Sequence, residues 1–308
     1  MKPEILLLQP QSKSLEARLD ALYAVHRLAT AQDPEALLDA VAARIRVAVT
    51  SGAFGVPDAL WARLPALELV AVHGVGLDKV DLSAAKAAGV EIKTTPGVLT
   101  DDVADLAIGL WLSLMRRMVQ ADTYVRAGGW REGRPLPLAV RASGRKVGVL
   151  GLGQIGQAIA ARAQPFAAEL RYHSRTPVAD APYAYEASVL DLARWSDVLF
   201  VAVSGGAGTL IDAKVLDALG PDGVLINIAR GAVVDEPALV AALTAGRIAG
   251  AGLDVFADEP NAPEALLTAD NVVLQPHRGS ATVEARAAMA DLVLEAVADH
   301  FSGAGRPT

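Results

Sequence analysis

The sequence predicts an α/β protein built from two doubly wound, parallel-sheet domains with a cleft between them. Three observations carry that prediction. Short apolar runs alternate with helix-like segments along the chain, the pattern of parallel strands joined by helical crossovers. The length of 308 residues suits two domains at roughly 100–200 residues each. Near the middle, a glycine-spaced turn sits between a strand pattern and a helix pattern.

Composition narrows the class. Apolar residues make up 52% and charged residues 20%, the balance of a folded chain with a large core. The net charge is −7 and no basic run is long enough to hold a polyanion, so nucleic acid is not an expected partner. No cysteine occurs, which excludes disulfides, thiolate nucleophiles and Cys-based metal sites and fits a reducing compartment. The apolar part of the N-terminus, 5–8, is too short for a signal peptide. The apolar region 103–114 is interrupted by Asp105 and falls short of the ~20 residues of a membrane span. The expectation is a cytoplasmic protein that binds neither a membrane nor a metal.

In chain order, 5–8, 45–49, 69–72 and 90–93 read as strands, with helices at 14–22, 34–41 and 82–88. Thr100 reads as a helix N-cap, with Asp101 and Asp102 placed to complement the dipole. Val103, Leu106, Ala107, Leu110, Trp111 and Leu114 then recur at helical spacing, and Ile108, Leu112 and Met115 make the other face apolar too. A helix apolar all round is expected between domains or subunits. The Gly-, Pro- and Arg-rich stretch 127–146 reads as an extended loop, with Trp130 as a packing residue. Strands at 147–150, 169–172, 198–203, 224–228, 250–252 and 272–274 supply six for a doubly wound sheet, with helices at 154–166, 188–195, 212–219 and 236–245. A last helix begins near Ser280 and carries Val283, Ala287, Ala290, Leu294, Val297 and Phe301 on one stripe. The expected division is 1–98 plus 284–308 against 99–283. His26 and His300 read as surface residues of helices.

The glycine turn is Gly151, Gly153 and Gly156 in G-x-G-x-x-G, with Gln154 and Ile155 opening the helix. A pyrophosphate approaching the backbone needs side chains removed there, and the helix N-terminus offers free N–H groups and a positive dipole end. Strand before, helix after and a second strand ending about twenty residues on favour a dinucleotide site over a plain βα turn. NAD-binding versions carry an acid at the end of that second strand. Here His173 stands 22 residues after Gly151, followed by Ser174 and Arg175, with no Asp or Glu. A carboxylate would repel a 2′-phosphate, whereas Ser174 and Arg175 can donate to it, so NADP is the preferred cofactor with NAD possible. The plainer reading makes Arg175 a solvated loop residue and the protein indifferent.

Hydride transfer to a keto acid needs a proton donor for the developing alkoxide, a partner that keeps it protonated, and a cation for the carboxylate. Arg230, Glu259 and His277 each follow an expected strand, at the carboxyl end where open α/β sheets place ligands. Taken singly, an Arg after a strand is often a surface residue and a Glu-Pro pair a helix start.

The segments 227–231, 252–260 and 275–280, with 95–105 and 75–81, resemble those of the D-isomer-specific 2-hydroxyacid dehydrogenase family over nearly the whole chain. The Ser174-Arg175 ending and the 235–237 and 254–260 segments look most like hydroxypyruvate, glyoxylate and hydroxyphenylpyruvate reductases. The resemblance implies that His277 is the general acid, that Glu259 orients its ring, and that Arg230 holds the substrate carboxylate and keto oxygen together with His277. It implies that the backbone N–H groups of Val75 and Gly76 bind the carboxylate. Asp254 would accept from the nicotinamide carboxamide, or else act as a turn cap. Thr100 and Ala229 would border the cofactor. His73 would touch substrate or serve as a structural loop residue. One segment departs: the family's Pro-Leu-Thr-Pro-Glu-Thr-like loop is replaced by 203–210, where Val203 and Ser204 are at most cofactor neighbours. The implied reaction is reduction of a small 2-keto acid of hydroxypyruvate or glyoxylate type by NAD(P)H to the D-2-hydroxy acid, in a homodimer whose cleft closes over its ligands. Bulkier aryl or alkyl 2-keto acids come second. A formate or phosphite dehydrogenase and a non-catalytic NAD(H)-sensing scaffold stand behind them.

Overall fold

The computed structural model describes residues 2–303. The chain forms two compact units: one runs to Val98 and takes up again at Thr282, the other is Leu99–Ala281. Residues 304–308, which close the expected first domain, lie outside the described residues.

In the first unit, β1 (Glu4–Leu7), β2 (Ala24–Arg27), β3 (Val47–Ser51), β4 (Leu69–His73) and β5 (Glu91–Lys93) form a parallel sheet in the order β2-β1-β3-β4-β5. Its apolar runs are continuous because both faces are covered. Leu6, Ala48, Val70 and Val72 meet Leu38, Val41, Leu60 and Leu64 on one side. Ile5, Leu7, Val47, Val49, Leu69 and Ala71 meet Leu15, Leu19, Ala290, Val293 and Val297 on the other. Each such Leu, Ile or Val side chain stabilises the unit by about 1.5–3 kcal/mol. The helix Val283–Ser302 supplies half of that second layer, which is why the chain returns here. It starts from Thr282, whose side chain accepts from Ala285 N, rather than near Ser280.

Two histidine readings are corrected. His26 lies on the half-buried edge strand β2, not a helix, and its Nε2 sits 2.8 Å from the Glu4 carboxylate. His300 is on the final helix but only 13% exposed at its side chain, with Nε2 3.1 Å from Glu68. Strand β2 went unread because its four residues are all half-buried and carry no apolar run.

In the second unit, β6 (Arg145–Leu150), β7 (Ala167–His173), β8 (Ala184–Tyr185), β9 (Val198–Val201), β10 (Val224–Asn227), β11 (Gly250–Leu253) and β12 (Val272–Leu274) form a parallel sheet. Its order is β12-β11-β10-β9-β6-β7-β8. Seven strands stand where six were expected; β8 is a two-residue exposed edge, too short to show a period. Strand β9 stops at Val201, and the helix Gln154–Ala163 ends before Phe166. Phe166 instead packs edge-on against Trp111 at 5.6 Å, with Phe200 at 5.7 Å from the same indole.

The helix Thr100–Met115 differs from expectation at its cap. Leu99 occupies its cap position and no side chain caps it, so Thr100 is the first helical residue. Its burial is one-sided: Val103, Ala104, Ala107, Leu110, Trp111 and Met115 are buried, whereas Ile108 and Leu112 stay half-exposed in this unit. Trp130 does not pack within the chain; it is 75% exposed.

Candidate active site

The glycine turn follows β6, and its three glycines do three different jobs. Gly151 has φ +94°, and a Cβ there would lie 2.8 Å from the Ala202 carbonyl. A Cβ on Gly156 would lie 1.9 Å from the Gly151 carbonyl, so only glycine lets the helix start so close to the strand. Gly153 faces open space within 4 Å, which leaves room for a ligand group rather than for protein. Gly153 also caps the helix Gln154–Ala163 without any side-chain acceptor, so its first N–H groups stay available to an anion. Gln154 is exposed and Ile155 half-buried at that opening. These features fit a dinucleotide pyrophosphate.

The end of β7 is tied to this turn, since Gly151 N donates to the His173 carbonyl at 2.8 Å. His173 Nδ1 bonds the Glu186 carbonyl at 2.8 Å, and its ring stacks on Tyr185. Arg175 is exposed, with no ion pair among the described residues. The Ser174 hydroxyl donates to the Thr176 carbonyl at 2.6 Å.

Arg230, Glu259 and His277 follow β10, β11 and β12, three neighbours in the sheet whose ends stand level (Asn227↔Leu253↔Leu274). His277 Nδ1 lies 2.7 Å from Glu259 Oε2. A carboxylate only accepts, so this contact assigns the Nδ1 proton and leaves Nε2 as the nitrogen that can pass one to a substrate. The Glu259 Oε1 accepts from Phe256 N at 3.1 Å, which fixes the carboxylate as well as the ring. The two side chains are 35% and 43% exposed, open enough to meet a ligand. Arg230 is half-buried, and its Nη1 donates to the Ala229 carbonyl at 2.6 Å.

The turn that carries Arg230 is shaped by a residue the sequence reading passed over. Asn227 is 1% exposed; its Oδ1 accepts from Ala229 N at 3.0 Å and its Nδ2 donates to the Arg230 carbonyl at 3.1 Å. Gly231 was also missed. A Cβ there would lie 1.9 Å from the Phe256 carbonyl carbon, so the loop bearing Arg230 and the loop bearing Glu259 touch backbone to backbone. Glu236 adds a third tie through Ala257 N at 3.0 Å. The atypical 203–210 loop joins the same frame: Thr209 Oγ1 donates to the Ala232 carbonyl, and Ile211 pairs with Val234.

Asp254 is 2% exposed and accepts from two backbone amides, Arg278 N at 2.6 Å and Gly279 N at 2.8 Å. Burial pushes its carboxyl up from the ordinary aspartate value, while the two amides pull it down.

Val75 and Gly76 belong to the first unit, in the loop after β4. Gly74 N donates to Thr95 Oγ1 at 3.0 Å and Thr95 N to the Gly74 carbonyl at 2.9 Å, which anchors the base of that loop and leaves Val75 exposed. His73, the last residue of β4, is buried, and its Nε2 has no hydrogen-bond partner among the described residues. No group of residues able to hold a metal occurs among the described residues, nor is any helix long and apolar enough to cross a membrane.

Comparison with known proteins gives three concordant findings. The family model described as "D-isomer specific 2-hydroxyacid dehydrogenase, NAD binding domain" matches residues 108–279. The chain is 48% identical over 301 residues to a glyoxylate/hydroxypyruvate reductase of Arabidopsis thaliana, covering 97% of this chain and 96% of that protein. It is equally identical, over the same shares, to a hydroxyphenylpyruvate reductase of Plectranthus scutellarioides. Among solved structures, an NADPH-dependent glyoxylate/hydroxypyruvate reductase of Sinorhizobium meliloti in complex with NADP and malonate superposes with TM-score 0.91 at 42% identity. That match covers 98% of this chain and 94% of the other.

Proposed function

The chain belongs to the D-isomer specific 2-hydroxyacid dehydrogenase family, and on that premise we propose that it reduces a small 2-keto acid of the hydroxypyruvate or glyoxylate type to the D-2-hydroxy acid. One observation carries the reading: His277 and Glu259 are paired at 2.7 Å, on loops from the same sheet end as the Arg230 turn. Bound NAD(P)H supplies the hydride. His277 delivers a proton from Nε2 to the carbonyl oxygen as charge develops there. Glu259 accepts from Nδ1–H and stabilises the imidazolium before transfer. Arg230 binds the carboxylate and polarises the keto oxygen, and the Val75 and Gly76 amides supply further donors to the carboxylate.

Gly151, Gly153, Gln154, Ile155 and Gly156 would hold the pyrophosphate, and Thr100 and Ala229 would border the nicotinamide end. Ser174 and Arg175 favour the 2′-phosphate of NADP, a reading supported by the absence of any acid at the end of β7 and by the NADP complex of the Sinorhizobium meliloti relative. The first unit serves as the substrate domain and the second as the cofactor domain. A homodimer accounts for the apolar side chains left exposed along 118–140, among them Met118, Val125, Trp130 and Leu138. The absence of cysteine fits a cytoplasmic setting.

The test is loss of reduced-nicotinamide absorbance with NADPH and a panel of 2-keto acids. Hydroxypyruvate or glyoxylate should be turned over fastest, and His277→Ala should lower kcat by about 10²–10⁴-fold. Cofactor binding with no turnover of any panel member would instead favour a sensing scaffold.

A further inference from the structure

We propose that Asp254 is a positioning residue for proton transfer: it holds the backbone turn that presents His277. The inference rests on His277 as the general acid. His277 has φ +52°, in the left-handed region that a side chain with a Cβ rarely adopts. Such a conformation is sparsely populated and persists only where neighbouring contacts over-determine it.

Those contacts converge on one residue. The Asp254 carbonyl accepts from His277 N at 2.8 Å. Its carboxylate then accepts from the next two amides, Arg278 N on Oδ1 at 2.6 Å and Gly279 N on Oδ2 at 2.8 Å. Three consecutive N–H groups are thereby fixed by one side chain and its own carbonyl. Asp254 N donates to the Asn227 carbonyl at 3.0 Å, so the clamp is itself anchored to the base of the Arg230 turn. Space around the clamp is tight: a Cβ on Gly279 would meet Asp254 Oδ2 at 3.1 Å and Val103 Cγ2 at 3.2 Å.

The chemistry explains why a carboxylate occupies this position. Each of its oxygens accepts, whereas an amide of the same shape accepts at one end only and sets a donor against the other N–H. Asp254→Asn therefore keeps the volume and removes one of the two side-chain bonds. The freed amide loosens the turn, and His277 spends less time with Nε2 directed at the substrate, while the pyrophosphate turn at Gly151–Gly156 is untouched.

The test compares wild type, Asp254→Asn and Gly279→Ala. The expected result is a fall in kcat of about 10²-fold for Asp254→Asn, the order of loss for roughly 1 Å of misplacement of a reacting group, and a smaller fall in the same direction for Gly279→Ala, whose Cβ displaces its neighbours by only a few tenths of an ångström. The KM for hydroxypyruvate and the Kd for NADPH, read by fluorescence titration, should stay within about threefold. In the cofactor-free protein, amide exchange at 278–279 should quicken in both variants. Unchanged kcat and unchanged exchange overturn the inference. A loss confined to NADPH Kd with kcat retained also overturns it, and leaves Asp254 as a cofactor contact alone. Should Asp254→Asn fail to fold, Gly279→Ala carries the same split. If the wild type turns over no keto acid, the proposed reaction fails, and the exchange measurement still decides whether Asp254 holds the turn.

Discussion

Replacing Gly231 by Ala tests whether the loops bearing Arg230 and Glu259 act as one rigid piece. An added Cβ would lie 1.9 Å from the Phe256 carbonyl carbon, 2.0 Å from its oxygen and 2.3 Å from Ala257 N. All three are backbone atoms, so no rotamer change relieves the clash. Ordinary contact begins at 3.4 Å, so the loops must part by about 1.5 Å. Glu259 moves with that displacement because Phe256 N holds its Oε1, and the Glu236 tie to Ala257 N is stretched as the loops part. A misplacement of ~1 Å costs on the order of 10²-fold, or about 2.7 kcal/mol of transition-state stabilisation. The assay is kcat/KM for hydroxypyruvate with NADPH, alongside circular dichroism and NADPH affinity. Affinity should hold, since the pyrophosphate turn follows β6, separated in the sheet from β10 by β9. Activity within twofold of wild type in a folded protein would refute the rigid coupling.

Two further outcomes follow from other parts of the chain. Arg175→Ala should weaken NADPH by about 10- to 100-fold, the value of a charge-assisted hydrogen bond, and NADH by less than about twofold; equal losses would remove the phosphate assignment. Burial, reinforced by the charge of Arg286, holds the His73 imidazole below its ordinary value. The unfolded chain then binds a proton more readily than the native one, so stability is complete above ~6.5 and falls as pH drops from there through the native value. His73→Gln should flatten the fall in unfolding midpoint between about pH 7 and 5; superimposable curves for the two proteins would sink the linkage.

What was legible in the residues differs sharply between elements. The core strands were legible because parallel strands buried on both faces read as unbroken apolar runs, as in Ile5 to Leu7 or Val198 to Val201. The edge strands β2 and β8 were not, since a half-buried or exposed edge has no apolar signature. Thr100 has the right chemistry for a cap, yet the helix begins at Thr100 itself and places Leu99 in the cap position. Arg230, Glu259 and His277 could be grouped because each stands just past a recognisable strand. Their neighbours Asn227 and Gly231 could not: a buried amide and one more glycine among 27 carry no periodic or chemical mark. Asp254 was marked as important, but that both its oxygens face backbone amides depends on where the 277–279 turn lies in space.

The division of labour among these residues explains why a site built on loops can still be precise. The strand ends are fixed by the sheet register, but Arg230 and His277 stand three residues beyond theirs and Glu259 six. Over such lengths a free loop would sample positions several ångströms apart, far outside the tolerance of proton and hydride transfer. Each loop is therefore held a second time, close to the side chain proposed to react. Asn227 closes the turn before Arg230, Gly231 brings that turn against Phe256, Phe256 N and Glu236 hold the loop of Glu259, and Asp254 holds the three amides from His277 onward. The last of these contacts also runs back to Asn227 through Asp254 N, so the anchors form a chain from β10 to the turn after β12. A cut at one link should then lower kcat while leaving ground-state binding largely intact, because the ligand-contacting groups remain present and only their mutual alignment is lost. Removing a group proposed to contact substrate, such as Arg230, should raise KM as well, and that contrast separates residues that hold the site from those proposed to do its chemistry.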